Sequence, residues 1–385
     1  MPRRALLAGL AAVPVAVLAA CSKDKPKPAA TSTSSSSTTT TAPPRPQASG
    51  KGLPADLLAV MTAMYVGGKV PASGAVAAAL AKRKPAGKSV TVAGSTGTWQ
   101  KTPIAVVTQG KDVTLLVKGK AWSVVGGWWP SMGLAGATPG RTMRILAIGS
   151  DARPSQKVAS TRADSLHIIG IDAKGVGGIL GIPRDSWVSL SSGGVNKINA
   201  SLAFGGPKGV VRTVEKATGV QIDGYVLTGF KGFRALVNAI GGIRYVAPSI
   251  FKGEHGILAK KGLNILKGEP ALSFARERHT LRNGDFGRSV NQGNLILAGM
   301  GMARSGGPRA LTKYLSAMSP HVATDLTPGE VLNLSAAAFQ TNPNHVTNTV
   351  ALGGIGTRGG GQSVVLLGSA ARADFRDMKD GRLRA

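Results

Sequence analysis

This sequence predicts an α/β fold, an α/β/α sandwich with a central mixed sheet, preceded by a small α+β accessory domain. Three observations carry that prediction. Met143 to Ile148, Ser165 to Ile171 and Gly178 to Ile182 are apolar runs of strand length with little alternation, as expected of strands covered on both faces. Helical and strand patterns then interleave towards the C-terminus, which is the pattern of a layered α/β domain. Ahead of them, Ser89 to Trp129 breaks into short β-like runs separated by Gly, Lys and Asp turns.

At the N-terminus, Arg3 and Arg4 precede the apolar stretch Ala5 to Val17, and Leu18-Ala19-Ala20-Cys21 is a small-residue cleavage pattern ending in cysteine. It is similar to a bacterial lipoprotein signal, so residues 1–21 are expected to be a signal peptide with Cys21 lipidated. The apolar run is shorter than the roughly 20 residues that span a bilayer. The expected location is therefore the extracytoplasmic face of the cell membrane, lipid-anchored, the alternative being an uncleaved signal anchor. Cys21 is the only cysteine in the sequence, which excludes disulfides, cysteine zinc sites and thiol catalysis. Residues 22–50 are Ser, Thr, Pro, Ala and Lys almost throughout and cannot bury enough apolar surface to fold, so a disordered linker is expected there.

The accessory domain is expected over 51–140. Leu57, Leu58, Met61 and Met64 recur at helical spacing within Leu53 to Ala81, a pattern weakened by Gly67-Gly68. Strand-like runs follow at Val90 to Val92, Ile104 to Val107, Val113 to Val117 and Trp122 to Val125, and Ser131 to Arg141 reads as the boundary. Four of the five tryptophans fall here, as core and interface packing or as a sugar-binding surface. The second domain, 141–385, continues after its three buried strands with helices at Gly206 to Thr218 and Lys231 to Ile240 and strands near Tyr225 to Thr228 and Ile243 to Val246. Helices are then predicted over Pro270 to Arg276, Asp285 to Arg304, Gly307 to Met318, Glu330 to Gln340 and Ala370 to Met378, with a strand at His345 to Leu352.

The formal net charge is +29, so the partner is expected to be an anion. Nucleic acid is not expected, because the exported location offers little of it and an aromatic content of 4% supplies few base-stacking platforms. Anionic lipid headgroups, phosphate-rich wall polymers or pyrophosphate-linked precursors suit that compartment better. No Gly-x-Ser-x-Gly elbow occurs, and no two histidines have zinc-ligand spacing.

Phe274 to Gln292 concentrates Arg276, Arg278, Arg282 and Arg288 against only Glu277 and Asp285. A solvated helix face intersperses acids with bases, whereas this surplus of guanidinium suits a phosphate, which it grips with two parallel hydrogen bonds. Asp285, Arg288 and Gln292 fall at helical i, i+3 and i+7, on one face. Upstream, Gly149-Ser150-Asp151-Ala152-Arg153 ends one strand and Arg162-Ala163-Asp164-Ser165 opens the next. If those strands are neighbours, Asp151 and Asp164 meet at one end of the sheet, either around a magnesium ion, commonly held by one or two carboxylates, or each paired with its own neighbouring arginine. Ile182-Pro183-Arg184-Asp185 sets Arg184 at a strand end, where α/β folds place their ligand crevice. Arg184 has a simpler alternative in a salt bridge with Asp185. Lys197-Ile198-Asn199-Ala200 adds another base.

In order and spacing, these motifs and Asp285-Phe286-Gly287-Arg288 with Gln292 resemble the LytR-CpsA-Psr family over about Met143 to Arg304. The resemblance implies a phosphotransferase that moves a glycopolymer from a polyprenyl pyrophosphate carrier onto peptidoglycan, with an α/β/α core, an apolar tunnel for the lipid and Mg2+ or Mn2+ as cofactor. Carried over by position, Asp151 and Asp164 resemble the metal ligands. Arg162, Arg184, Arg276, Arg278, Arg288 and Gln292 resemble a pyrophosphate clamp, with Lys197 as a weaker match. Arg184, Arg276, Arg278 and Asp285 are the implied catalytic residues, Asp285 either orienting Arg288 or acting near the acceptor hydroxyl. Asn291 departs from the arginine that usually precedes the glutamine, and a lipobox stands where most members carry a transmembrane helix. Two stripes are candidate tunnel linings: Phe230, Phe233, Leu236, Val237 and Ile240, and Leu295, Ile296, Leu297 and Met300. Ordinary core is the alternative for both. A pyrophosphatase side activity and a non-catalytic lipoprotein that binds polyprenyl phosphate or anionic wall polymer remain alternative functions.

Overall fold

The computed structural model describes residues 45–153, 155–358 and 360–384, so the expected signal peptide, Cys21 and most of the expected linker lie outside the described residues. Pro46–Ala385 form one compact unit. Pairing begins inside the stretch read as linker: Ala48–Ser49 bond in parallel to Val90–Thr91.

The helix expected over 53–81 is two helices, α1 (Ala55–Tyr65) and α2 (Gly74–Leu80). The break falls at Gly67 and Gly68, whose φ values of 137° and 134° suit glycine alone. An antiparallel sheet follows, β1 (Ala93–Trp99), β2 (Thr102–Gln109), β3 (Asp112–Lys118), β4 (Trp122–Trp129) and β5 (Leu134–Thr138), paired in that order. Strands β1 and β5 depart from the sequence reading, which took 131–141 as a boundary. Rich in Gly, Ala, Ser and Thr, they lack the apolar pattern of strands and join the sheet through backbone pairing to β2 and β4.

Side-chain alternation gives this sheet two apolar faces. Ala105, Val107 and Leu116 pack with Leu57, Met61 and Met64 of α1 and with Val76 and Leu80 of α2. Ile104, Val106 and Leu115 point the other way and pack with Leu311, Leu315 and Leu332 near the C-terminus. Trp99, Trp122 and Trp129 are buried, and Trp128 stacks on Phe339 with ring centroids 6.2 Å apart. The tryptophans are thus core and interface residues and form no exposed sugar-binding platform.

The central sheet begins with β6 (Met143–Ser150), β7 (Ala163–Ile171) and β8 (Gly177–Gly181). Next come α3 (Ser201–Thr218), β9 (Gly224–Gly229) and α4 (Phe230–Ala239). A long hairpin is then built from β10 (Ile243–Ala247), β11 (Phe251–Gly253), β12 (Gly256–Ala259) and β13 (Gly262–Leu266). The chain continues through α5 (Gly268–Arg276), α6 (Gly284–Ser305), α7 (Ala310–Met318) and β14 (Ala323–Thr324). It closes with α8 (Pro328–Gln340), β15 (Val346–Val350) and α9 (Ser369–Met378).

Six strands form one mixed sheet in the order β14-β9-β6-β7-β8-β15. Strand β7 runs antiparallel to β6 and β8, whereas β9 is parallel to β6 and β15 to β8. Leu146, Ile148, Leu166 and Ile168 pack on one face with Val210 and Val214 of α3 and Phe375 and Met378 of α9. Ile145 faces the opposite layer, with Leu311 of α7 and Leu332 of α8, while Ile171 and Ile179 meet Met300 of α6. The layers are therefore α/β/α as the sequence predicts, and α7 and α8 serve both sheets at once.

Candidate active site

The acidic corner is built by the antiparallel pairing of β6 and β7, which sets Ser150 opposite Ala163. The Asp151 N–H donates to the Arg162 carbonyl at 3.1 Å, and the Arg162 N–H donates to Asp151 Oδ1 at 2.9 Å. Arg162 thus serves Asp151 through its backbone, and its side chain is exposed. Asp164 Oδ1 accepts from Arg184 Nη1 at 2.8 Å. Neither acid is paired with the side chain of a neighbouring arginine among the described residues.

Arg184 lies just past β8, beside the start of β7 because those strands run antiparallel. Its Nη2 is 3.5 Å from Asp285 Oδ1, and its Nε is 3.9 Å from Asp185 Oδ2. Asp185 is nearer to Lys197, at 3.0 Å, so Lys197 neutralises that acid, and the simple Arg184–Asp185 bridge is the loosest of these contacts. Burial lowers the Arg184 pKa, but the hydrogen bond and charge of Asp164, with Asp285 and Asp185, outweigh it and hold the group above its ordinary value.

Arg288 is buried on the first turns of α6, with Nη2 3.0 Å from Asp285 Oδ1 and 3.3 Å from the Asp164 carbonyl. Burial, more than any other influence, lowers its pKa, and the Arg184 charge adds to this against Asp285. Asp164, Arg184, Asp285 and Arg288 thus alternate in sign along one chain of contacts. Alternation offsets the repulsion between two guanidinium groups that share a half-buried site.

Arg276 and Arg278 differ from these two. Both are exposed, and neither is paired with an acid among the described residues. The Arg276 guanidinium lies 4.7 Å from the centre of the Phe230 ring, which orients the group and leaves its N–H edge available. Between them, buried Glu277 accepts from the backbone N–H groups of Glu254, His279 and Thr280. Burial raises the Glu277 pKa, but these backbone hydrogen bonds, with that of Arg278, overcome it and keep the carboxyl below its ordinary value. Gln292 Nε2 donates to the Ala275 carbonyl at 2.9 Å, tying α6 to the residue before Arg276.

These groups stand at one end of a cavity of about 810 Å3. Asp164, Ser165, Arg184, Arg276, Arg278, Arg288 and Gln292 line its polar part, whereas Asp151, Arg162, Lys197 and Asp285 are not among the lining residues. The apolar part runs under the sheet. Of the α4 stripe, Phe230, Phe233, Leu236 and Ile240 line it while Val237 turns into the core; of the α6 stripe, Leu295, Ile296 and Met300 line it and Leu297 does not. Trp99 of β1 and Leu311 and Tyr314 of α7 also contribute.

Sequence reasoning missed His167, which is fully buried on β7. Its Nε2 lies 2.9 Å from the Ser289 carbonyl, and since a carbonyl only accepts, Nε2 carries the proton. Nδ1 then accepts from the Ser165 hydroxyl at 3.2 Å. Burial, with the Arg288 charge, lowers its pKa to about 4, against the bond to Ser289. A Cβ at Gly181 would come within 2.2 Å of Ser289 Oγ and 3.3 Å of His167 Nε2, so glycine there makes room for this packing. The available signal was strand parity, since Ser165, His167, Ile169 and Ile171 alternate onto one face of β7.

The LytR_cpsA_psr family model matches residues 131–373. A polyisoprenyl-teichoic acid–peptidoglycan teichoic acid transferase, TagU of Bacillus cereus, is 34% identical over 196 residues, covering 49% of this chain and 62% of that protein. A probable cell wall biosynthesis protein, LcpB of Corynebacterium glutamicum, is 28% identical over 250 residues, 61% of this chain and 60% of that protein. The chain therefore spans less than two thirds of the length of either relative. The crystal structure of Bacillus subtilis TagV superimposes with a TM-score of 0.54 at 30% identity, covering 62% of this chain and 96% of that one.

Proposed function

We propose that this chain, which belongs to the LytR_cpsA_psr family, transfers a glycopolymer from a polyprenyl pyrophosphate carrier to a peptidoglycan hydroxyl. One observation carries the reading: two acid-free guanidinium groups, Arg276 and Arg278, open onto the same cavity as a long apolar lining. A pyrophosphate joined to a prenyl chain has that division into a doubly anionic head and an apolar tail. The named activity of the Bacillus cereus relative supports the same class of donor and acceptor.

In this reading the acceptor oxygen attacks the phosphorus that carries the polymer. The new P–O bond forms as the bond to the bridging oxygen breaks, and prenyl phosphate leaves with that electron pair and takes up the proton that the acceptor hydroxyl gives up. Arg276 and Arg278 bind the non-bridging oxygens, while Arg184 and Arg288 set positive charge where the leaving phosphate gains negative charge. Asp285 acts as a positioning residue, because both of its contacts are to those arginines. Lys197, Arg162 and Gln292 play supporting parts through Asp185, Asp151 and the end of α5.

A magnesium or manganese ion fits the acidic corner by its donor set. Asp151 and Asp164 each use Oδ1 in a hydrogen bond and keep Oδ2 without a hydrogen bond among the described residues. Two such oxygens with water and phosphate oxygens are a usual magnesium shell, and no larger cluster of acids, histidines or cysteines occurs among the described residues. Such an ion would neutralise charge on the pyrophosphate. Water in place of the sugar hydroxyl would give the pyrophosphatase side reaction. An extracytoplasmic, lipid-anchored location through Cys21 completes the proposal; among the described residues no helix is long and apolar enough to cross a membrane.

The test is release of phosphate-bearing product from a short prenyl pyrophosphate, with and without chelator, beside Asp151→Ala. Turnover that depends on metal and falls at least about tenfold in the variant is expected. Tight binding with no turnover under any metal would leave an escort protein for prenyl phosphates or wall polymer and would end the transferase reading.

A further inference from the structure

Ten large apolar side chains are exposed among the described residues, and five of them, Val246, Ile250, Ile257, Leu263 and Ile265, fall within one hairpin, 243–266. Such clustering marks a surface meant to be covered. Strand register shows that three of them, Val246, Leu263 and Ile265, share a side. Strands β10 and β13 pair Val246 with Leu263 and Arg244 with Ile265, so these four stand on one face. The alternate residues, Ile243, Ala247 and Leu266, turn inward and are buried with Phe274 and Leu295. Further out, β11 and β12 pair Lys252 with Ile257.

Charge follows the apolar residues. Arg244, Lys252, Lys260 and Lys261 are exposed in this segment and Lys267 just after it, Glu254 is the segment's only acid, and no ion pair engages the five bases among the described residues. The hairpin tip also belongs to the rim of the cavity. Glu254, His255 and Leu258 line it beside Arg276 and Arg278. The Glu254 N–H is bonded to Glu277 at 2.9 Å, and Thr280 Oγ1 donates to the Lys252 carbonyl at 2.8 Å.

We propose that the outer face of this hairpin docks on an anionic bilayer, with Val246, Ile250, Ile257, Leu263 and Ile265 entering the interface and the lysines meeting lipid phosphates. An apolar face rimmed by base is the pattern of an interfacial membrane contact. Continuity with the cavity rim selects a bilayer over a second copy of this chain, since docking would bring the arginine end of the cavity to the headgroup layer, where a lipid-linked pyrophosphate lies. That purpose rests on the proposed function, but the docking itself is read without any substrate, so the two can fail separately.

The full chain carrying Cys21→Ser, so that one introduced cysteine is the sole thiol, is labelled with an environment-sensitive fluorophore at Leu263→Cys or Ile257→Cys. Ile355→Cys, an exposed site on another hairpin, is the control. On vesicles of equal parts phosphatidylcholine and phosphatidylglycerol, the first two labels are expected to shift to the blue. Brominated acyl chains should quench them at least about threefold more than the control label. Lys252→Glu with Lys260→Glu and Lys261→Glu should abolish the difference. The proposal is overturned by labels at Leu263 and Ile257 that stay as wet as the control, or by protein that does not bind these vesicles. An equal shift on phosphatidylcholine alone overturns it as well, as does shielding before vesicles are added, which would mark association between copies.

Discussion

Replacing Asp285 with Asn removes one charge and no volume from the point where two guanidinium groups meet. Asp285 Oδ1 lies 3.0 Å from Arg288 Nη2 and 3.5 Å from Arg184 Nη2, and the Arg288 side chain is only 8% exposed. The variant loses the charge-assisted contact to Arg288, worth about 1.5 to 3 kcal/mol in such settings, and leaves Arg184 and Arg288 with Asp164 as the acid between them. In a compact unit as long as Pro46–Ala385, a loss near 2 kcal/mol predicts a melting temperature lower by about 3 °C. Arg288 should also lose its alignment, with a fall in kcat/KM of at least about tenfold. Added inorganic pyrophosphate restores negative charge at the cluster, so it should raise the melting temperature of Asp285→Asn more than that of the wild type. Differential scanning fluorimetry across a pyrophosphate series reads this directly. An unchanged melting temperature and equal anion responses would refute the bridging argument. If turnover still fell while the melting temperature and anion responses stayed unchanged, Asp285 would take the acceptor-side role that the sequence left open.

Two further outcomes follow from groups that the site places differently. His167 stays neutral in the folded chain down to a pKa of about 4, whereas the unfolded chain takes up its proton near its ordinary value of 6.5. The unfolded state therefore binds more protons in that window, and stability should fall by about 3 kcal/mol as pH drops from 6.5 to 4. His167→Gln should flatten that part of a pH series of urea midpoints, and an identical slope in both proteins would assign the acid sensitivity elsewhere. Trp99→Leu shortens a side chain that β1 contributes to the apolar end of the cavity. The ratio of kcat/KM for long against short prenyl pyrophosphates should rise by about threefold or more, and an unchanged ratio would remove Trp99 from the lipid path.

The fold was most legible where side chains decide it. Leu146 and Ile148 facing one helical layer, with Ile145 facing the other, are the two covered faces that a run without alternation implies. It was least legible where backbone pairing decides it. Strand β1, Ala-Gly-Ser-Thr-Gly-Thr-Trp, carries almost no apolar signal, and the hairpin 243–266 showed one strand of its four. That miss had a physical cause. Val246, Leu263 and Ile265 are apolar on the exposed face, so they blur the alternation by which a half-buried strand is recognised.

The site divides in the same way. Residue type alone marked Arg184, Arg276, Arg278 and Arg288 as anion binders, because so many guanidinium groups with so few acids have few other uses. Which of them are neutralised within the protein depends on register, and spacing does not carry that. Arg184 and Arg288 are held by Asp164 and Asp285, whereas Arg276 and Arg278 are not held by any acid among the described residues. The distinction bears on the chemistry. Guanidinium groups already embedded in an acid–base chain are fixed before substrate arrives and lose little freedom on meeting a developing charge. Exposed ones must be ordered by the phosphate itself, and they suit capture of the donor. Arg→Lys at Arg276 should accordingly raise KM more than it lowers kcat, and the same change at Arg184 should do the reverse.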